Sequence, residues 1–228
     1  MHAKQLVLPL VPTSLKRFEW FYPGQNHLCV TTLKQEPLPQ FIYIYGSSGS
    51  GKTHLLEAYA YKAIEAKKRV LYVPLKQIQL HRDFFRDLQK MDALLLDDLE
   101  YLNPALATAL FHGFNSLQQQ QIPLIITSQL KPSALNLALP DLKSRLQSGL
   151  SFNLIPLMDE ELKTALTLYA QQLELKLDDK IYSWLLTYQK RDLHVLTKQL
   201  QAIANYSLAA KKPITLPLVK QALLTELY

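Results

Sequence analysis

The sequence predicts an α/β protein: a parallel sheet covered by helices on both faces, followed by a small all-helical domain. Three observations predict it. Short apolar runs alternate with helical stretches between Phe41 and Ile155, the pattern of strands joined by crossover helices. Three of the six glycines crowd into Gly46–Gly51, a tight turn between an apolar run and a helix. After Pro156 the alternation stops and only helical periodicity remains.

Phe41-Ile42-Tyr43-Ile44-Tyr45 reads as a buried strand, and Thr53 to about Lys67 as the helix leaving the glycine turn. Val70 to Val73 is a short apolar strand, Lys76 to Lys90 an amphipathic stretch, and Ala93 to Asp97 a further buried strand. Asn103-Pro104 pairs a cap with a proline at the first helical position and opens a helix to about Gln120. Leu124 to Thr127 follows as a strand, and Leu150 to Ile155 as a weaker one. Beyond Pro156, helices are expected over Asp159–Leu175, Asp178–Tyr188, Arg191–Ala210 and Leu216–Leu227. In the first of these, Leu162, Ala165, Leu166 and Tyr169 repeat on one face. The expected organisation is an arm over 1–12, an α/β core over 13–156 and a helical domain over 157–228.

Charged residues at 19% and hydrophobic ones at 48% describe a globular chain with ample core material in 228 residues. No apolar stretch approaches the roughly 20 residues of a membrane span, and no signal-peptide core follows Met1. No membrane partner is expected. The single Cys29 excludes an internal disulfide, and a cytoplasmic location is the expectation. Net charge +6 permits contact with a polyanion without demanding it, because the cations are scattered.

The glycine turn carries chemistry. Gly46-Ser47-Ser48-Gly49-Ser50-Gly51-Lys52-Thr53 fits G-x-x-x-x-G-K-[ST], the loop that wraps backbone N–H groups around a β,γ-phosphate pair. Lys52 offers a point charge to the phosphate oxygens, Thr53 a hydroxyl to Mg²⁺, and the following helix its N-terminal dipole. ADP or ATP with Mg²⁺ is therefore the expected ligand. Leu94-Leu95-Leu96-Asp97-Asp98 is an apolar strand ending in two acids. Asp97 would orient the metal and its waters, and Asp98 would position or deprotonate the attacking water. Glu100 is a further candidate base; the alternative for the acid pair is a helix cap after a buried strand.

The pairing of Gly46–Thr53 with Leu94–Asp98, then Thr127-Ser128, Leu142-Lys143-Ser144-Arg145-Leu146 and a helical end resembles the AAA+ modules of the bacterial replication initiator DnaA. The segments Tyr72-Val73-Pro74-Leu75 and Leu135–Leu146 look still more like Hda-type regulators, the initiator's homologous inhibitors. The resemblance covers nearly the whole chain and implies an AAA+ P-loop core with a lid. The chain stops at Tyr228, where an initiator continues into a helix-turn-helix domain.

The resemblance also implies partners. Gln5-Leu6-Val7-Leu8-Pro9-Leu10 looks like the hexapeptide that docks on the DNA polymerase III β sliding clamp, bringing the protein to DNA through the loaded clamp. Gln5 can hydrogen-bond, Leu8 and Leu10 can fill an apolar pocket, and Pro9 limits the entropy lost. On residue types alone the segment could equally fold back on its own core. Arg145 resembles the arginine finger offered to a neighbour's nucleotide, here that of DnaA, against the alternative of an ordinary ion pair. His194 stands where AAA+ lids carry a sensor arginine, so Arg191 takes over that role or the lid senses nucleotide weakly. Ser128 or Gln129 replaces an acidic sensor of the core. Phe18, Phe21, Tyr22, Pro23, Gly24 and Asn26 resemble the segment that wraps the adenine, or are plain core. Homo-oligomerisation is left open. The main rival is a self-sufficient AAA+ ATPase of the helicase-loader type.

Overall fold

The computed structural model describes residues 16–78, 80–81, 83–85, 88–137 and 139–225. The hexapeptide Gln5–Leu10 lies outside them. Two compact units are present: one is Asn26–Ile155 with the chain that ends at Phe18, the other runs from Pro156 and includes Glu19–Gln25. Phe21 and Tyr22, expected within the core's stretch of sequence, thus belong to the helical unit.

The first unit is a five-stranded sheet of β1 (Phe41–Tyr45), β2 (Val70–Pro74), β3 (Ala93–Asp97), β4 (Leu124–Ser128) and β5 (Leu150–Asn153). The order is β2-β3-β4-β1-β5, and every neighbouring pair is parallel. The near-continuous apolar runs of β1 to β4 follow from burial on both faces. Phe41, Tyr43, Leu94, Leu96, Leu124 and Ile126 share a core with Leu110, Phe114 and Leu117 of α3 (Ala107–Gln119) and Leu142 and Leu146 of α4 (Pro140–Gln147). Ile42, Ile44 and Leu95 alternate with them and are fully buried, as are Leu55 and Leu56 of α2 (Lys52–Glu65). The edge strand β5 is largely exposed, which accounts for its weaker apolar signal.

Two local expectations differ from the structure. Lys76–Lys90 forms turns and one 3₁₀ turn at Leu88–Lys90, with no α-helix among its described residues. Its apolar spacing has another use: Leu80, Phe84, Phe85 and Leu88 anchor irregular chain on the core. Conversely, α1 (His27–Lys34) was not legible as a helix, since His, Cys, Val and two threonines are weak helix formers. Thr31 and Thr32 turn their hydroxyls back onto the carbonyls of His27 and Leu28.

The second unit consists of α5 (Asp159–Gln172), α6 (Asp179–Tyr188), α7 (Leu193–Ala210) and α8 (Leu216–Thr225). Its core joins Leu166, Ala170, Ile181, Leu185, Leu196, Leu200, Ile203 and Val219. The Glu161 carboxylate accepts from the Met158 N–H at 2.9 Å and caps α5. Asp192 caps α7 through the N–H groups of His194 and Val195, so the helix starts after Arg191. No described helix is long and apolar enough to cross a membrane.

Candidate functional site

The phosphate loop sits between the carboxyl end of β1 and the start of α2, where the strand order of a parallel sheet reverses and ligands are generally received. Gly46 N–H donates to Ser128 O at 3.3 Å, tying the loop to β4. Gly49 and Gly51 have φ of 80° and 95°, left-handed values that would strain any other residue. At Gly46 a Cβ would lie 2.7 Å from the Leu154 carbonyl oxygen, so glycine is required there by close packing.

Lys52 is only 5% exposed. Its Nζ donates to the carbonyls of Gly46 and Ser47, both at 2.8 Å, folding the loop around the ammonium. Burial pulls its pKa down, and the negative charges of Asp98, Glu100 and Asp97 act in the opposite direction. The lysine and the acids predicted from sequence are thus brought into one electrostatic site. The fit to a phosphate group can be tested on Ser50: its hydroxyl is buried inside the loop with no hydrogen-bond partner. An orphaned donor beside a buried ammonium, in a loop of left-handed glycines, suits an anion.

At the ends of β3 and β4, Leu96 stands opposite Ile126, so the next residues, Asp97 and Thr127, emerge side by side. Asp97 is 2% exposed. Tyr72 OH donates to its Oδ2 at 2.9 Å, and Thr127 Oγ1 donates to its Oδ1. Burial and the charges of Asp97 and Glu57 drive the Tyr72 pKa far upward, so the phenol stays a donor. Asp98 follows in a left-handed conformation with φ 58°, and its N–H donates to Thr127 Oγ1 at 3.0 Å. Burial, then Asp97 and Glu100, raise the Asp98 pKa to about 6. Glu100 Oε2 accepts from Gln129 N–H at 3.1 Å, while its buried Oε1 has no partner. No group of three or more His, Cys, Asp or Glu among the described residues could hold a metal by itself. A Mg²⁺ here would be held by Thr53 and the phosphates, with Asp97 orienting the ion and its waters, the usual sparing use of protein ligands by that ion.

Tyr72 enters the sequence reading only within a family-like segment and Glu57 not at all; neither is a site residue there. Tyr72 meets Asp97 only through the register of β2 on β3, which no local pattern displays. Glu57 lies one turn into α2, is buried and pairs with Lys16 at 3.4 Å.

Arg145 is half-buried on α4, and its Nη1 reaches Gln118 Oε1 of α3 at 3.5 Å. Among the described residues no carboxylate forms an ion pair with it. Arg191 donates through Nε to Leu186 O at 2.9 Å and through Nη1 to Asp159 Oδ2, so its guanidinium is engaged within the helical unit. His194 is exposed at the start of α7. Phe21 and Tyr22 are half-buried. Phe18 is core, and the Asn26 amide is spent on both backbone groups of Ile155.

Comparison with known proteins fits this arrangement. The bacterial DnaA ATPase domain matches residues 18–153, and the lid domain of Hda matches residues 159–223. An uncharacterised protein of Haemophilus influenzae is 35% identical over 227 residues, 96% of this chain and 98% of that one. Domain III of the Thermotoga maritima replication initiation protein DnaA superposes with a TM-score of 0.77 at 26% identity, covering 93% of this chain and 98% of that one. AMPPCP-bound DnaA from Aquifex aeolicus gives 0.70 at 26% identity, over 85% of this chain and 66% of that one. A parallel sheet with its phosphate loop, the paired acids and the matched lid place the chain in the family of DnaA-related AAA+ proteins, with an Hda-type lid.

Proposed function

We propose that the protein is a regulator of the replication initiator, tethered to the sliding clamp and stimulating the ATP hydrolysis of DnaA. Residues 5–10 hold it on the DNA-loaded clamp. Arg145 enters the initiator's nucleotide site and neutralises charge on the transferring phosphoryl group. The ADP form left behind cannot start another round of replication. ADP or ATP with Mg²⁺, held by Gly46–Thr53 and Asp97, sets the state of the protein's own core.

The observation that carries this reading is the guanidinium of Arg145. An arginine carries a permanent charge on a planar fork of donors suited to carboxylate or phosphate. Among the described residues its guanidinium meets the neutral amide of Gln118, at the long limit of a hydrogen bond, and no carboxylate. No described carboxylate answers its charge, which is open to an acceptor on a partner. The test is a reconstituted assay of DnaA ATP hydrolysis with clamp and DNA. Arg145→Ala should keep fold, nucleotide and clamp binding yet fail to stimulate. Fingers supplied in trans are worth roughly 10³–10⁵ in rate. Arg145→Lys should be nearly as poor, since an ammonium lacks the planar fork. Stimulation by Arg145→Ala equal to that of the unmodified protein rules out arginine supply from this position.

A second reading, an autonomous ATPase, is favoured by the complete set Lys52, Thr53, Asp97 and Asp98. Turnover by the purified protein without partners, together with no retention on immobilised clamp, would select it.

A further inference from the structure

We propose that Tyr72 is a positioning residue for the magnesium-bound nucleotide: its hydroxyl fixes the rotation of the Asp97 carboxylate so that lone pairs remain aimed at metal-bound water. The inference rests on the nucleotide site proposed above and concerns a residue outside the phosphate loop and the acid pair.

Tyr72 pairs with Leu95 across β2 and β3, so Asp97, two residues on, shares its face as the diagonal neighbour. Both residues are buried, at 6% and 2% exposure. The carboxylate is gripped from two strands at once. Tyr72 of β2 donates to Oδ2 at 2.9 Å, and Thr127 of β4 donates to Oδ1. The direction of the second bond is set by a third group. The Asp98 N–H already occupies a lone pair of Thr127 Oγ1, so the single hydroxyl proton is turned toward Asp97.

An ionised carboxylate offers about four lone-pair sites. One on each oxygen is consumed here, which leaves about two for other partners. The final torsion of an aspartate is broad and soft, so without such a grip the plane would rotate. Removing the phenol OH frees one end and leaves buried Oδ2 without its partner. A loss of this kind falls on metal binding, because the nucleotide's phosphates are held by the loop and not by Asp97. Outer partners of metal ligands commonly account for roughly 10–100-fold in metal affinity.

Calorimetry of ADP binding with Mg²⁺ and with EDTA separates the roles, using the full chain and Tyr72→Phe. The unmodified protein should bind more tightly with Mg²⁺. Tyr72→Phe should match it in EDTA and lose about 10-fold of the Mg²⁺ enhancement. Thr127→Val, which releases the other oxygen, should lose the same enhancement and serves as the measurement if Tyr72→Phe melts too low to assay. An intact enhancement in the variants overturns the inference, as does an equal loss with and without Mg²⁺, which marks a purely structural hydroxyl. If the unmodified protein itself shows no enhancement by Mg²⁺, the metal site falls and the inference with it.

Discussion

Substituting Lys52 by methionine separates the structural from the ligand-binding use of one buried charge. In the folded chain Lys52 Nζ makes two charge-assisted hydrogen bonds, to Gly46 O and Ser47 O. Each is worth roughly 1.5–3 kcal/mol. Against them stands the cost of burying an ammonium at 5% exposure, seen in its lowered pKa. Methionine removes both, keeps most of the volume, and should change the ligand-free melting temperature by only a few degrees, about the effect of 1 kcal/mol. Nucleotide binding has no such compensation. Losing one charge-assisted contact to phosphate weakens the complex by roughly 1.5–3 kcal/mol, a factor of roughly 10–150. At a nucleotide concentration 100 times the unmodified Kd, ligand stabilises by about 2.7 kcal/mol, or about 5–11 °C in a chain of this size. For Lys52→Met the same concentration should give about 0.3–1.4 kcal/mol, or about 1–6 °C. Thermal melts with and without ADP read both quantities. A full ligand shift in the variant would refute the assignment of Lys52 to phosphate.

Deleting residues 1–10 should abolish co-elution with the sliding clamp while leaving melting temperature and nucleotide affinity nearly unchanged; an unfolded truncation would make the arm structural. Gly149→Ala should destabilise by about 1–3 kcal/mol in chemical denaturation, because its Cβ would stand 2.1 Å from Phe41 Cδ1, and an unchanged midpoint would show that the ring moves freely. Arg191→Ala should loosen the helical unit by about 1 kcal/mol through its lost bonds to Leu186 O and Asp159, whereas His194→Ala should alter ADP affinity little; a large loss for His194→Ala that grows below pH 6.5 would place an imidazolium on the phosphates. With its folded pKa raised to about 6, Asp98 contributes stability that is present under acid conditions and is lost as pH climbs from its ordinary carboxylate value through about 6. In the nucleotide-free protein Asp98→Asn should flatten that part of the stability profile measured by denaturation.

What could be read from the sequence was what is written contiguously. The phosphate loop needs eight successive residues and a strand and helix beside it, and all of these are adjacent in the chain. The acids at the end of β3 are legible for the same reason, since an apolar run ending in Asp97-Asp98 announces its own carboxyl end. Side-chain partnerships that depend on register were not legible. Tyr72 reaches Asp97 across 25 residues and Arg191 reaches Asp159 across 32, and nothing in either local pattern specifies the meeting. The amphipathic stretch 76–90 does not announce its irregular path, because Leu80, Phe84 and Leu88 have helical spacing while serving as anchors for irregular chain. The short α1 went unseen because its cohesion comes from Cys29, Val30 and Leu33 buried in the core, with little help from propensity.

The position of β1 in the sheet sets an order of assembly. Its two neighbours, β4 and β5, lie far downstream, at Leu124–Ser128 and Leu150–Asn153. Gly46 N–H needs the Ser128 carbonyl, and Tyr45 O needs the Leu154 N–H. A nascent chain that has exposed the glycine loop therefore cannot yet shape it; closure waits for about a hundred further residues to emerge and dock, as in other non-local parallel pairings. Nucleotide consequently has no early template to bind during synthesis. A nucleotide that binds only the finished loop would add its stabilisation late, to a unit whose last strands are already in place.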